Sequence, residues 1–392
     1  MKLEHEFIRR SAVVGLFSAG TLALATISGV SAADEPIVIG HGAAITGELA
    51  PYDGPNGVRC QVERINEAGG ILGRQVELVT RDMRSDSSLA GTVATELLDR
   101  GAVVLLGPPT DDTIIPMAAI AQQYEVATLS VGGTQPAYPE AMPANGYLVP
   151  YGDNASGAAA AEAAYADGAR TAMLLVSHDV GSYSLMTPEY FAEAFERLGG
   201  RILGRINYSH GLADYSSQVA EIRRMDEHPD AIFGGMIVPE AGVFPRQLAS
   251  AGLDIPVYGT DGHDDPSVLE IAGDGAGLIK FITHGFPDEG SALAEFYADC
   301  EDRGYDVENI FFGLGGEAVV IVKAAIEAAG STDPAAVNAA IKEIEDLQGV
   351  TTDSITYRGQ GGTPLKNMTL IEIRDGQFVP VRGVMPEFVP SP

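Results

Sequence analysis

Residues with catalytic potential are spread thinly along this chain. It has no Gly-x-Ser-x-Gly elbow, Walker loop, His-Glu-x-x-His or Cys-x-x-Cys stretch. Gly40-His41-Gly42 opens like a dinucleotide fingerprint, but Ile45 stands where the third glycine belongs. His178-Asp179 and His263-Asp264-Asp265 carry metal-ligand types without the paired i, i+4 spacing of a helical metal site, and loop histidines hydrogen-bonded to neighbours are the simpler reading. No nucleophile–base pair stands out. The expectation is therefore no enzyme, no cofactor and no metal. What does recur is a loop after each strand-like run: Thr46 to Tyr52, Gly107 to Thr113 and Ser130 to Pro136. Backbone N–H groups in such loops and at helix starts are free to donate to a ligand. One such loop is an ordinary turn; several on one rim make a binding edge.

The elements that must position these loops alternate. Pro36 to Gly40, Val76 to Val79, Ala102 to Leu106 and Ala127 to Ser130 read as strands, with helical patterns through Ile65, over 88–100 and over 114–124 between them. After an irregular stretch from Gly132 to Asp153 the pattern restarts. Strands are expected at 171–176, 202–206, 231–234 and 256–258, with helices at 155–167, 188–198, 216–225 and 241–251. Two helices, 314–329 and 335–344, then precede a strand-rich tail over 355–381. The fold class is α/β: two doubly wound parallel-sheet lobes with a cleft at the carboxyl ends of their strands. The length of 392 residues agrees, at about 150 residues per domain. With 54 acidic against 24 basic residues, the net charge of −30 repels nucleic acid and anionic lipid. It fits a cationic ligand or a saline habitat.

Residues 1–33 read as an export signal. Arg9-Arg10 closes a basic start, an apolar stretch runs from Ala12 to Val30, and Val30-Ser31-Ala32 offers a small-residue cleavage site. A membrane anchor is the alternative, although glycines at 15, 20 and 29 dilute the stretch. The arginine pair matches the twin-arginine route only in part. An exported protein without membrane insertion is expected. Cys60 falls off the Val58, Val62, Ile65 stripe of its helix, whereas Cys300 shares a face with Leu293, Phe296 and Tyr297. One exposed and one buried thiol pair poorly, so free thiols are expected.

The pattern Thr46-Gly47, Tyr52, Gly57, Ile65-Asn66, Gly69-Gly70-Ile71-Leu72-Gly73-Arg74 and Asp82 resembles the periplasmic leucine/isoleucine/valine-binding proteins of ABC transporters, which have the type I periplasmic binding fold. The likeness continues through Gly107, Pro116, Thr134, Pro136, His178-Asp179, Tyr183, Gly234-Gly235, Pro239-Glu240 and Gly252. It implies lobe one over 36–150 and 284–355, lobe two over 151–283 and 356–392, and a three-strand hinge. It also implies a monomer that captures an amino acid, amide or amine and delivers it unchanged to a membrane permease. A ligand sensor of the same fold is the alternative function. Carried over residue by residue, the ligand site is Tyr52, Asp111, Gly132, Gly133, Thr134, Tyr183 and Asp261. In it Gly132 and Gly133 present backbone groups and Asp261 holds the ligand ammonium. The leucine-type disulfide would fall at Ser85 and Thr110, so it is absent.

Asp111 departs from the family, which has a small hydroxyl residue there to bind the ligand's α-carboxylate. Two like charges about 4 Å apart repel by roughly 4 kcal/mol at an effective dielectric near 20. That is about three decades of affinity. Either Asp111 turns away or is protonated, or Asp111 or Asp112 caps the helix that begins near Thr113, or the ligand has no carboxylate there. A cationic amine or amide between Asp261, Tyr52 and Tyr183 is the alternative solute. On this reading Asp111→Ser restores or improves amino-acid binding.

Overall fold

The computed structural model describes residues 35–392 apart from Val180. The expected export signal at 1–33 lies outside the described residues. Among these, no helix is long and apolar enough to cross a membrane.

Five strands, β1 (Ile37–Ala43), β2 (Val76–Asp82), β3 (Val104–Gly107), β4 (Ala127–Ser130) and β5 (Gly146–Leu148), form an all-parallel sheet in the order β2-β1-β3-β4-β5. The chain then builds β6 (Thr171–Val176), β7 (Arg201–Asn207), β8 (Ala231–Gly234), β9 (Val257–Gly259) and β10 (Ile279–Thr283). These repeat the same winding as β7-β6-β8-β9-β10, all parallel. A two-stranded ribbon follows, β11 (Ile355–Thr356) with β12 (Leu365–Lys366). Finally β13 (Met368–Arg374) and β14 (Gln377–Val384) extend the second sheet antiparallel from β10. The expected class is what the chain adopts: two doubly wound lobes.

The short central strands are apolar along their whole length because helices cover both faces of each sheet. Every residue of β3 (Val-Leu-Leu-Gly) and of β6 (Thr-Ala-Met-Leu-Leu-Val) is buried. One face of the first sheet packs on Val58, Val62 and Ile65 together with the long helix Ile310–Ala329. The other packs on Val93, Leu97, Met117 and Ala121. In the second lobe the Ala-rich helix Asp153–Ala166 lies with Phe191, Phe195 and Phe233, the last two phenylalanines flanking Phe191 in stacked pairs. Helix Pro55–Glu67 meets helix Ile310–Ala329 so closely that a Cβ on Gly57 would stand 1.8 Å from the Phe312 carbonyl oxygen. Only glycine allows that approach.

Two expectations need correction. The stretch from Gly132 to Asp153 is not wholly irregular: it holds helix Ala137–Ala141 and β5. Three residues beginning at Gly146, just after Pro143, are too few to show a period-2 pattern. The cysteines are not free either. Cys60 and Cys300 form a disulfide with Cα atoms 6.0 Å apart, and both are fully buried. Helix Pro55–Glu67 buries Gly57, Cys60 and Gln61 as well as the Val58, Val62, Ile65 stripe, so its covered arc is wider than one apolar face marks.

Where the chain passes between lobes it is tied to itself. The Tyr357 hydroxyl donates to the Leu148 carbonyl at 2.6 Å. The Lys366 ammonium is fully buried, donating to the Glu317 carboxylate and, at 3.2 Å each, to the Val149 carbonyl and Thr351 Oγ1. Glu317 also accepts from Thr351 N–H and Oγ1 at 2.8 Å, so this buried pair has its remaining lone pairs satisfied.

Candidate functional site

The strand order places β1 and β3 side by side with connections leaving in opposite directions, the switch point at which open α/β sheets bind ligands. A cavity lies there, with about 50 Å³ open to the centre of a water molecule. A single water needs roughly 10–15 Å³ on that measure, so the space is on the scale of a small solute. The loops after β1, β3 and β4 supply Tyr52, Asp111, Gly132, Gly133 and Thr134, while Tyr183 and Asp261 close it from the second lobe. All seven residues expected from the sequence therefore line one cavity. Phe311, Tyr138 and Ile237 supply much of the remaining apolar wall.

Each side chain is held for a reason. Tyr52 sits in the turn Ala50–Tyr52, edge-on to Phe311 with ring centroids 5.4 Å apart. Its hydroxyl accepts the Val238 N–H at 2.8 Å, a bond from one lobe to the other, and burial pushes its pKa above the usual value. Gly132 lies so near that a Cβ there would be 1.8 Å from the Tyr52 carbonyl oxygen. The Gly133 N–H donates to Ser130 Oγ at 3.1 Å, and Ser130 donates to the Pro108 carbonyl at 2.9 Å. These bonds fix the rim. Tyr183 begins helix Tyr183–Arg197; its hydroxyl lies 2.7 Å from Thr260 Oγ1 and accepts the Gly262 N–H at 3.1 Å. That arrangement ties it to the loop carrying Asp261.

Asp111 does not cap its helix. The N-cap of helix Asp111–Gln122 is Thr110, and Asp111 is the first helical residue. Its Oδ2 accepts from Ser182 Oγ of the other lobe at 2.6 Å. Asp261 is 2% exposed. Its Oδ2 lies 3.0 Å from His284 Nε2, while Oδ1 has no partner. His284 in turn stacks on Tyr151, with centroids 4.1 Å apart. Burial holds the His284 pKa below the usual imidazole value, against the pull of Asp261.

Behind the wall lies a residue the sequence reading missed. Asp153, fully buried at the start of helix Asp153–Ala166, accepts from Thr134 Oγ1 at 2.8 Å and from Gln135 Nε2 at 2.6 Å. The Thr134 hydroxyl is thus turned toward Asp153. Burial first, and then the Asp261 charge, push the Asp153 carboxyl well above the usual range despite those two bonds. Asp264 is pushed up to about 7 by burial and by the charges of Asp261 and Asp265, against a hydrogen bond from Thr283. His263 is buried with neither ring nitrogen partnered, and burial lowers its pKa to about 4. His284 and Ser182 were missed as well. The available signal was positional: Asp153 and His284 stand just past β5 and β10, where the chain changes lobes. Among the described residues no group of three or more His, Cys, Asp or Glu side chains is arranged to hold a metal ion.

The winding and the two-lobed site define a class, and comparison with known proteins identifies it. Residues 36–377 match the periplasmic binding protein family. A Leu/Ile/Val-binding protein homolog of Brucella abortus is 26% identical over 363 residues, covering 92% of this chain and 96% of the relative. The solved leucine-binding protein LivK of Thermotoga maritima is similar at 25% identity and a TM-score of 0.79, over 90% of this chain and 99% of that one. A solute-binding protein of R. palustris, solved in complex with benzoate, shares the fold at 21% identity and a TM-score of 0.77, over 91% and 98% of the two chains. This chain belongs to the periplasmic binding protein family.

Proposed function

We propose that the chain is the solute-capturing component of an ABC importer, holding an amino acid or related small solute between its lobes and releasing it unchanged to a membrane permease. Relatives of the family are solute-binding proteins, and the cavity here is walled from both lobes. The observation that carries the reading is the buried Asp261 carboxylate of the cavity lining, with one oxygen steadied by His284 and the other buried without a partner. A buried polar atom without a hydrogen-bond partner is costly. A ligand ammonium at Oδ1 supplies the partner, and Tyr52, Tyr183 and Phe311 offer apolar faces beside it.

Closure follows from differential contact. Solute meets the first-lobe rim, and Tyr183 and Asp261 then engage it, so ligand favours the closed state by whatever it gains from both walls together. The bonds Tyr52 to Val238 and Ser182 to Asp111 close the same gap between lobes. A buried disulfide suits export to an oxidising compartment, which makes the periplasm the proposed location. A thermal-shift screen of ligand-stripped protein against amino acids, amides, amines and aromatic acids tests the reading. A solute at a hundred times its dissociation constant adds about 2.7 kcal/mol of stability. Stabilisation by aromatic acids alone would move this chain to the benzoate type and contradict the role given to Asp261.

A further inference from the structure

The charges around the cavity go further than the family does. Two ionisable carboxylates, Asp111 and Asp261, line it, and no Lys, Arg or His is among the described lining residues. Asp153 stands directly behind Thr134 and Gln135 with its Oδ1 unpartnered. The positive ends available to a ligand anion are helix N-termini, each worth roughly half a unit charge. Asp111 is the first residue of helix Asp111–Gln122, and Ser182, which donates to it at 2.6 Å, is the N-cap of helix Tyr183–Arg197. The Asp111 carboxylate therefore lies between two helix starts, one from each lobe, at the position that the resemblance assigns to the ligand carboxylate. It is not the N-cap of its helix, and Ser182 of the other lobe holds it beside the cavity that Asp111 lines.

We propose that this site takes a small organic cation lacking a carboxylate, a primary amine or an amino amide, and that Asp111 occupies the carboxylate's place. The inference rests on the reading of Asp261 as the ammonium partner, and adds to it the exclusion of the zwitterion. A ligand carboxylate about 4 Å from Asp111 loses on the order of a thousandfold in affinity at an effective dielectric near 20. An uncharged amide or a hydrogen in that place loses none of it, and the cation gains from both aspartates.

Titration calorimetry on ligand-stripped protein with matched sets tests this: leucine, leucinamide and 3-methylbutylamine, then alanine, alaninamide and ethylamine. The amine or amide of at least one set should bind about a hundredfold or more tighter than its parent amino acid. In Asp111→Ser that preference should shrink or reverse, and Asp111→Asn should shift it the same way while keeping the side-chain shape. An amino acid that binds wild type more tightly than its amine and amide overturns the inference, as does a ratio unchanged in both variants. If amino acids win and Asp261→Asn abolishes their binding, the solute-capture reading stands and only this inference falls. If no member of either set binds, both fall. Should the Asp111 variants fold poorly by circular dichroism, the wild-type ratios still decide.

Discussion

Asp264 shows how burial at a single residue becomes pH dependence. Its carboxyl is raised to about 7 in the folded chain, so between about pH 4 and 7 the folded state holds a proton that the unfolded state has lost. Stability from this group is present at low pH and is lost as pH rises through that window. His263 has the opposite sign: lowered to about 4, it makes folding more favourable as pH rises from about 4 to 6.5. Asp264→Asn keeps an acceptor for Thr283 but removes the first effect. Its stability relative to wild type, measured by urea unfolding at several pH values, should therefore increase steadily from pH 4 to 7. A constant difference would mean that Asp264 does not carry the proton. The same burial explains what was legible at this scale. Tyr52, Gly132, Gly133 and Thr134 follow strands, where position along the chain predicts the rim, whereas Tyr183 and Asp261 were legible only through the family resemblance. Asp153 and His284 act through a carboxylate and a stacked ring contributed from distant segments, and nothing local in their sequence marks that.

Helix Pro55–Glu67 illustrates the limit at the scale of the element. Its apolar stripe predicts a helix and one buried flank correctly, but a helix wedged against two neighbours buries residues that the stripe leaves out. Cys60 is one of them, and its disulfide to Cys300 spans a sequence separation of 240. Cross-linking so long a loop removes chain entropy from the unfolded state. Reduction, or Cys60→Ala with Cys300→Ala, should cost about 2–5 kcal/mol in denaturant unfolding; equal midpoints with and without reductant would contradict this. The ribbon β11–β12 offers a second test. Lys366→Met strands the buried Glu317 carboxylate and should cost about 3–5 kcal/mol. Adding Glu317→Leu should recover much of that loss, because a buried pair replaced on both sides is often neutral. A double variant no more stable than the single one would mean the pair contributes more than its own rescue.

At the scale of the whole molecule, the repeated 2-1-3-4-5 winding accounts for both the fold and the site. Two sheets of the same design face their carboxyl ends toward one gap, so loops far apart in sequence share a cavity. The alternation of strand and helix made that architecture readable. The closed contacts across the gap were not readable, because they depend on which side chains meet when two separate lobes come together. The net charge of −30 also acts globally. Like charges on a compact surface repel, and salt screens them over about 10 Å at 0.1 M. Thermal unfolding should therefore move to lower temperature as salt is withdrawn, and a salt-independent midpoint would show that the acidic surface carries no such cost.

The central claim is that a small solute is held between the lobes with its ammonium on Asp261. Titration calorimetry of wild type and Asp261→Asn against the best solute from the screen, with the solute recovered afterwards, tests it most directly. Removing a charge-assisted hydrogen bond in a desolvated site is worth about 2–5 kcal/mol. The variant should therefore bind at least about 30-fold more weakly, and the solute should come back chemically intact. Equal affinity in the two proteins, or a solute returned altered, would contradict the account.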